Sequence, residues 1–125
     1  MGSKGVIESY RDLRVWQESM NLAEICYKVT KTFPKEEIYG MTSQIRRAAT
    51  SVPANIAEGY GREYRQEYIQ FLRIAQGSLK ELETHLLLAQ RVELLPTENA
   101  DSTLKQCESV GKLLRPLIRS LQTKT

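Results

Sequence analysis

The sequence is poor in the residue types that most catalytic and metal-binding sites require. It contains one histidine and two cysteines among 125 residues. His85 follows Glu81 by four residues, whereas a dinuclear site in a helical bundle uses Glu-x-x-His on each of two helices. There is no Gly-x-Ser-x-Gly or Walker motif, and the glycines near residue 60 follow no strand. We therefore predict a protein with no metal, no cofactor and no enzymatic activity.

Long apolar runs and export signals are also missing. No stretch of about 18 apolar residues occurs, which predicts that no helix crosses a membrane. The first residues, MGSKGV, lack the apolar segment of a signal peptide. Cys26 and Cys107 lie on the apolar register of predicted helices and form no Cys-x-x-Cys pair, which favours small buried side chains in a reducing compartment. Together these features predict a cytoplasmic protein.

Helical periodicity accounts for nearly the whole chain, and no strand pattern is found. The predicted helices cover residues 12–33, residues 39 or 41 to 58, residues 64–92, and a last segment that begins with Thr97 as its N-cap. Short connections between four amphipathic helices predict an all-α, up-down-up-down antiparallel four-helix bundle over residues 12–122. We expect residues 1–11 to be disordered, and part of this segment could be a cloning remnant. Residues 123–125 are expected to be a frayed tail.

The first predicted helix is apolar on two sides. One stripe consists of Leu13, Trp16, Met20, Ala23 and Tyr27, and the other consists of Val15, Leu22, Cys26, Val29 and Phe33. Because a bundle core needs only one stripe, we expect this helix either to be central in the fold or to share one stripe with a partner subunit, and periodicity leaves open which stripe that would be. Asn55 is read either as a local cap or as a polar contact between subunits. The predicted oligomer interface is Val15, Leu22, Val29 and Asn55.

Residues 51–62, SVPANIAEGYGR, interrupt the second helical pattern with one proline and two glycines. The apolar stripe continues through Val52 and Ile56, so Pro53 is predicted to kink the helix rather than end it. Gly59 or Gly61 is predicted to end the helix with a positive φ. In the third helix, the small residues Gly77 and Ser78 are expected to mark close approach of another helix.

Basic residues collect on two parts of the chain. The net charge is only +3, so the distribution matters more than the sum. From Leu104 to Thr125 the chain carries five positive residues and one negative residue, whereas an ordinary solvated surface mixes both signs. A one-signed stripe suits contact with phosphates, and Tyr60, Tyr64 and Tyr68 could stack on unpaired bases. The predicted nucleic-acid-binding residues are Arg46, Arg47, Arg62, Arg65, Arg73, Lys105, Lys112, Arg115 and Arg119.

Three segments carry a resemblance to a known family. They are DLRVWQESMNL, FPKEEIYGMTSQIRRAATSVPANIAEGYGR and YIQFLRIAQGSLKELETHL, which together extend from about Asp12 to Leu88. In these segments the chain resembles the small four-helix-bundle proteins encoded in intervening sequences of bacterial 23S rRNA genes. It also resembles their relatives, the accessory variability proteins of diversity-generating retroelements. The fourth helix is similar only in character.

The resemblance implies a ring-like homopentamer without known catalysis. For the retroelement relatives it implies binding to RNA or DNA, and to a reverse transcriptase, through a positively charged surface. Our first hypothesis is therefore a non-enzymatic, oligomeric nucleic-acid-binding accessory protein. The second is a protein-interaction scaffold that forms a ring without binding nucleic acid. An enzyme of unrecognised type would require a deep pocket lined by converging polar groups, for which the sequence gives no sign.

Overall fold

The computed structural model of the chain describes residues 6–123. Its four α-helices are α1 (Arg14–Thr30), α2 (Met41–Tyr60), α3 (Arg65–Arg91) and α4 (Thr97–Gln122), with short 3₁₀ helices at Tyr10–Asp12 and Lys35–Glu37. Within the described residues there is no strand. Each helix packs on its sequence neighbours, and α1 also packs on α4, which closes the bundle. The predicted all-α four-helix bundle is thus confirmed.

The start of the chain is more ordered than the sequence suggests. Residues 1–5 lie outside the described part, but the predicted disorder is wrong for Tyr10 and Arg11, which belong to a 3₁₀ helix. Ser9 accepts a hydrogen bond from the Arg11 amide at 3.0 Å, and the Asp12 carboxylate accepts one from the Ser9 amide at 3.1 Å. This reciprocal capping occupies Asp12. Asp12 is therefore not the N-cap of α1, which begins two residues later.

Helix α2 runs through Pro53 without a break, and Pro53 itself is buried. The predicted kink has no measured angle and stays a prediction. The predicted positive φ at the helix end is wrong, because Gly61 has φ −78° and Gly59 does not have a positive φ between 20° and 160° either. Gly59 has a different role: a Cβ there would lie 2.7 Å from the Cβ of Phe71, so its missing side chain lets α3 pack closely on α2.

A positive φ occurs instead after α3. Glu93 has φ 66°, and the Leu94 amide donates to the Ala89 carbonyl at 2.9 Å. The Glu93 amide donates to the Gln90 carbonyl at 3.1 Å. These two bonds form a Schellman motif, in which a left-handed residue ends the helix, although glycine usually occupies that position. Thr97, the predicted N-cap of the last helix, is its first residue, after Pro96.

The core is formed by one apolar stripe of each helix. Leu22, Ile45, Leu72 and Leu114, one from each helix in order, are fully buried. The buried hydroxyl groups of Ser19, Thr30 and Thr103 donate to carbonyls of their own helix, for Thr103 to that of Asn99 at 2.7 Å. Among residues 6–123, no buried side-chain nitrogen or oxygen lacks a hydrogen-bond partner. Such a core specifies the packing of the four helices and leaves function to their outer faces.

Candidate nucleic-acid interface

Helix α4 presents a row of cations to solvent. Lys105, Lys112, Arg115 and Arg119 are all exposed, and at about 100° per residue they share one side of the helix. Within the described residues, only Lys112 meets a carboxylate, that of Glu108 at 3.7 Å. An exposed pair of this kind contributes little, so Lys112 can exchange its partner at small cost. The predicted stripe on α4 is therefore present as an accessible surface.

A cleft of about 410 Å³ lies where α4 meets α3. Its lining includes Arg73, Gly77 and Lys80 from α3 and Gly111 and Arg115 from α4. The Arg115 Nη1 atom lies 3.7 Å from the position of a Cβ on Gly111, so this guanidinium group covers the glycine. We define the α3–α4 face as this cleft and the adjoining stripe: Arg73, Lys80, Lys105, Lys112, Arg115 and Arg119.

Arg46 does not belong to an open binding surface, in contrast to the prediction. Its Nε donates to the Thr30 hydroxyl at 2.9 Å, and its guanidinium carbon lies 4.5 Å from the centre of the Tyr27 ring. A hydrogen bond and a cation–π contact together fix the side chain between α1 and α2. Arg46 therefore joins two helices of the chain itself.

The other arginines of this region are partly engaged. Arg62 forms an ion pair with Glu58 at 2.8 Å and lies 4.8 Å from the centre of the Phe71 ring. Arg47 is exposed and donates to the side chain of Gln44. Arg65, the first residue of α3, is half-buried. The structure therefore separates Arg46, Arg47 and Arg62, which contact other side chains of the chain, from the accessible cations of the α3–α4 face.

The three tyrosines near these arginines differ in accessibility. Tyr60 and Tyr68 contact each other edge to face, with ring centres 6.0 Å apart. Burial, with the nearby Tyr60 as a smaller cause, raises the pKa of Tyr68 to about 12. Tyr64 is 63% exposed. Only Tyr64 therefore presents most of its ring for stacking on a base.

The predicted oligomer interface is wrong for the residues of α1. Leu22 is fully buried and Val15 nearly so, and Val29 packs against the same core. Because these side chains lie inside their own bundle, they are not available to a partner subunit. The second stripe of α1 is thus the core stripe, whereas in the first stripe Met20 and Tyr27 are exposed and Ala23 is buried.

Asn55 has local hydrogen bonds rather than an outward polar contact. Its Nδ2 donates to the carbonyl of Ser51 at 2.8 Å and to the Ser51 hydroxyl at 3.0 Å. The Ser51 hydroxyl also lies 2.7 Å from that of Ser78 on α3. The structure therefore favours the local reading, in which Asn55 and Ser51 link α2 to α3 near Pro53.

The outward stripe of α1 borders an apolar groove of about 480 Å³ against α2. Trp16, Met20 and Tyr27 line one side, and Pro53 and Ala57 line the other. Met20 is 44% exposed and Tyr27 is 42% exposed. We call this surface the α1–α2 groove. Trp16, Met20 and Tyr27 belong to the first apolar stripe of α1, which contains none of the predicted interface residues.

The two cysteines are buried, and the single histidine contacts only one carboxylate of its own helix. Cys26 and Cys107 are buried free thiols, and burial raises the pKa of each to about 12, so both are protonated at neutral pH. His85 lies 3.3 Å from the carboxylate of Glu81 on the same helix. Over the described range, no group of three or more His, Cys, Asp or Glu side chains could hold a metal ion. No helix in that range is both long and apolar enough for a membrane span.

Lys80 and the cleft were not among the predicted features of the site. The signal was present, because Arg73, Gly77 and Lys80 are spaced by four and three residues, which places them on one side of a helix. Gly111 and Arg115 have the same spacing on α4. What the spacing could not supply was the relative register of α3 and α4, which brings the two sets together.

Comparison with known proteins agrees with this architecture. The model of the family described as 23S rRNA-intervening sequence protein matches residues 11–116. A crystal structure of a protein of unknown function from the S23 ribosomal protein family of Bacteroides thetaiotaomicron VPI-5482 is similar, with a TM-score of 0.78 and 30% sequence identity over 84% of this chain and 95% of that one. No curated protein matches the chain. The chain belongs to the family of 23S rRNA-intervening sequence proteins.

Proposed function

We propose that the protein is a non-enzymatic nucleic-acid-binding accessory protein that acts as a homo-oligomer. One observation carries the proposal: the α3–α4 face presents six cations, and only Lys80 and Lys112 among them meet a carboxylate in the described residues. Exposed cations of one sign attract a polyanion and release its counterions on contact. Such contacts position a nucleic acid without reading its sequence.

The biological setting is a finer part of the same proposal. Family membership connects the chain to intervening sequences of 23S rRNA genes, and an RNA ligand fits that setting. The resemblance to accessory variability proteins supports a second setting, in which the protein assists a reverse transcriptase. Both settings require an accessible basic surface, so the binding experiment below applies to either.

The test compares two double variants that remove the same charge from different places. Lys112→Gln with Arg119→Gln changes the α3–α4 face, whereas Lys28→Gln with Lys31→Gln changes exposed residues at the end of α1. Binding of a structured RNA is measured by fluorescence anisotropy from low to moderate salt. We expect only the first variant to bind more weakly, with a salt slope smaller by about 0.7 to 0.9 per lost phosphate contact. Equal weakening by both variants, or a flat salt response of the unmodified protein, would contradict the proposal.

A protein-interaction scaffold is the second candidate, and the α1–α2 groove favours it. Exposed Met20 and Tyr27 beside Trp16 form an apolar surface of the kind that mediates subunit contacts. In our proposal this groove, rather than Val15 and Leu22, joins the subunits of the homopentamer that the resemblance implies.

The oligomer is tested by light scattering. We expect Met20→Asp to lower the mass of the assembly, and the neighbouring exposed Asn21→Asp to leave it unchanged at the same added charge. A monomeric unmodified protein would contradict self-association, and an assembly that binds no RNA at low salt would favour the scaffold over the first candidate.

A further inference from the structure

Gly77 is an exposed glycine in the middle of α3, and no contact within the described chain explains it. A Cβ on Gly77 would have no heavy atom within 4 Å apart from its neighbours and its own helix backbone. The predicted close approach of another helix is therefore absent at Gly77 within the described chain, whereas at Ser78 the hydroxyl lies 2.7 Å from that of Ser51 on α2. By contrast, Gly59 on α2 is required by Phe71. Gly77 instead keeps the cleft between α3 and α4 open to solvent.

The register of the two helices brings two arginines to one end of this cleft. Gly77 and Gly111 both line it, and α3 and α4 are antiparallel. Arg73 lies about one turn before Gly77 on α3, and Arg115 lies about one turn after Gly111 on α4. Because the two helices are antiparallel, the step from Gly77 back to Arg73 on α3 and the step from Gly111 forward to Arg115 on α4 point in the same direction. Two guanidinium groups therefore border the same end of the cleft.

These two arginines have no acidic partner among residues 6–123. The lining contains no Asp or Glu, and the nearest engaged cation, Lys80, forms an exposed ion pair with Glu83 at 3.2 Å. Guanidinium groups that converge without a carboxylate suit an oxyanion with several acceptor atoms, because each can donate two hydrogen bonds to it. The chemistry of the cleft is thus that of a phosphate site.

The size of the cleft favours one form of the phosphate ligand. Because the axes of packed helices lie about 8–10 Å apart, the helices touch and leave a surface groove rather than a gap, here of about 410 Å³. A positively charged groove of this kind can follow the backbone of one unpaired strand. Arg73 and Lys80 are seven residues apart, or about 10 Å along the helix, which corresponds to about three nucleotides at 3.4 Å per residue of a stacked strand. A duplex could contact the rim only.

We propose that the cleft between α3 and α4 binds the phosphate backbone of an unpaired nucleic-acid strand, with Arg73 and Arg115 holding one phosphate above Gly77 and Gly111. This inference rests on the proposed function and assigns it a site and a strand preference. The outer stripe of α4, with Lys112 and Arg119, then adds contacts that a single strand and a duplex share.

The test fills the cleft without changing any charge. Gly77→Leu adds a side chain over the floor, and because leucine is a better helix former than glycine, the variant is expected to fold. Gln66→Leu adds apolar surface at an exposed position of α3 that does not line the cleft, and serves as the control. Anisotropy is measured with a labelled 10-nucleotide RNA strand and with the duplex of the same sequence, and light scattering is measured for each variant.

We expect Gly77→Leu to weaken binding of the single strand about tenfold, to change binding of the duplex less than twofold, and to leave the mass of the assembly unchanged. Gln66→Leu should change neither ligand. Arg73→Gln and Arg115→Gln should each reproduce the selective loss. Inorganic phosphate at matched ionic strength should compete only weakly, because it lacks the neighbouring phosphates of a strand.

Three results would overturn the site. Single-strand binding by Gly77→Leu at the level of the unmodified protein would show that the cleft is not used. A changed mass would show that Gly77 receives another protein chain, and full competition by inorganic phosphate would show a site for a small anion. If the unmodified protein binds RNA and the Lys112 and Arg119 variant binds less, these results leave the proposed function intact. If the unmodified protein binds no RNA, the proposed function fails first.

Discussion

The contact between α2 and α3 and the α3–α4 face contain the same residue types and use them differently. At the α2–α3 contact, Arg62 contacts Glu58 and Phe71, and the space beside Gly59 is occupied by Phe71. On the second, Arg73 and Arg115 meet no carboxylate in the described chain, and Gly77 faces open space. An arginine or a glycine therefore indicates a binding surface only when the chain itself does not already use it.

The largest effects are expected from substitutions of the two glycines, Gly59 and Gly77. Gly59→Ala places a Cβ 2.7 Å from the Cβ of Phe71, where backbone rather than a flexible side-chain end must shift. We expect a loss of about 1–3 kcal/mol in the free energy of unfolding, typical of an overpacked site. Gly77→Ala should instead gain about 0.5–1 kcal/mol, because alanine favours the helix and meets no neighbour. Urea unfolding measures both, and changes of the same sign would break the comparison.

A second test compares two arginine variants, of which one is expected to lose stability and the other to lose affinity for RNA. Arg46→Ala removes the hydrogen bond to Thr30 and the contact with Tyr27, so we expect a loss of about 1–2 kcal/mol in the free energy of unfolding. Its affinity for RNA should change little. Arg115→Ala should do the reverse, with stability within about 0.5 kcal/mol of the unmodified protein and weaker RNA binding. If Arg46→Ala binds RNA more weakly at a temperature where it is fully folded, Arg46 belongs to the binding surface after all.

Most of the fold could be predicted from the sequence, because apolar spacing defines each helix and, where there is a single apolar stripe, its buried side. The stripe of α3 through Leu72, Leu79 and Leu86 is buried as its heptad spacing predicts. The helix ends were less predictable, since Asp12 and Gly61 satisfy local preferences in more than one way. Glu93 shows the limit, because a glutamate gives no sign that it adopts a positive φ.

The candidate site could be predicted only in part. Charge along α4 identified Lys105 and Arg119 without reference to any other helix. Arg46 was misassigned because its partners, Thr30 and Tyr27, lie on another helix and become neighbours only after folding. Both stripes of α1 are apolar, and the choice between them depended on which one the other helices cover. In each case the missing information was the packing between helices.

The smallest expected effect comes from releasing an engaged arginine. Glu58→Gln removes the carboxylate that pairs with Arg62 at 2.8 Å but leaves the contact with Phe71. Exposed ion pairs contribute about 0.2–1 kcal/mol, so the free energy of unfolding should fall by no more than that. If availability decides which cations bind, Arg62 should then add a phosphate contact, and the salt slope of RNA binding should steepen by less than one unit. Glu63→Gln, an equal charge change at an adjacent exposed residue, is the control. An identical slope change in both variants would mean that net charge, rather than the release of Arg62, determines binding.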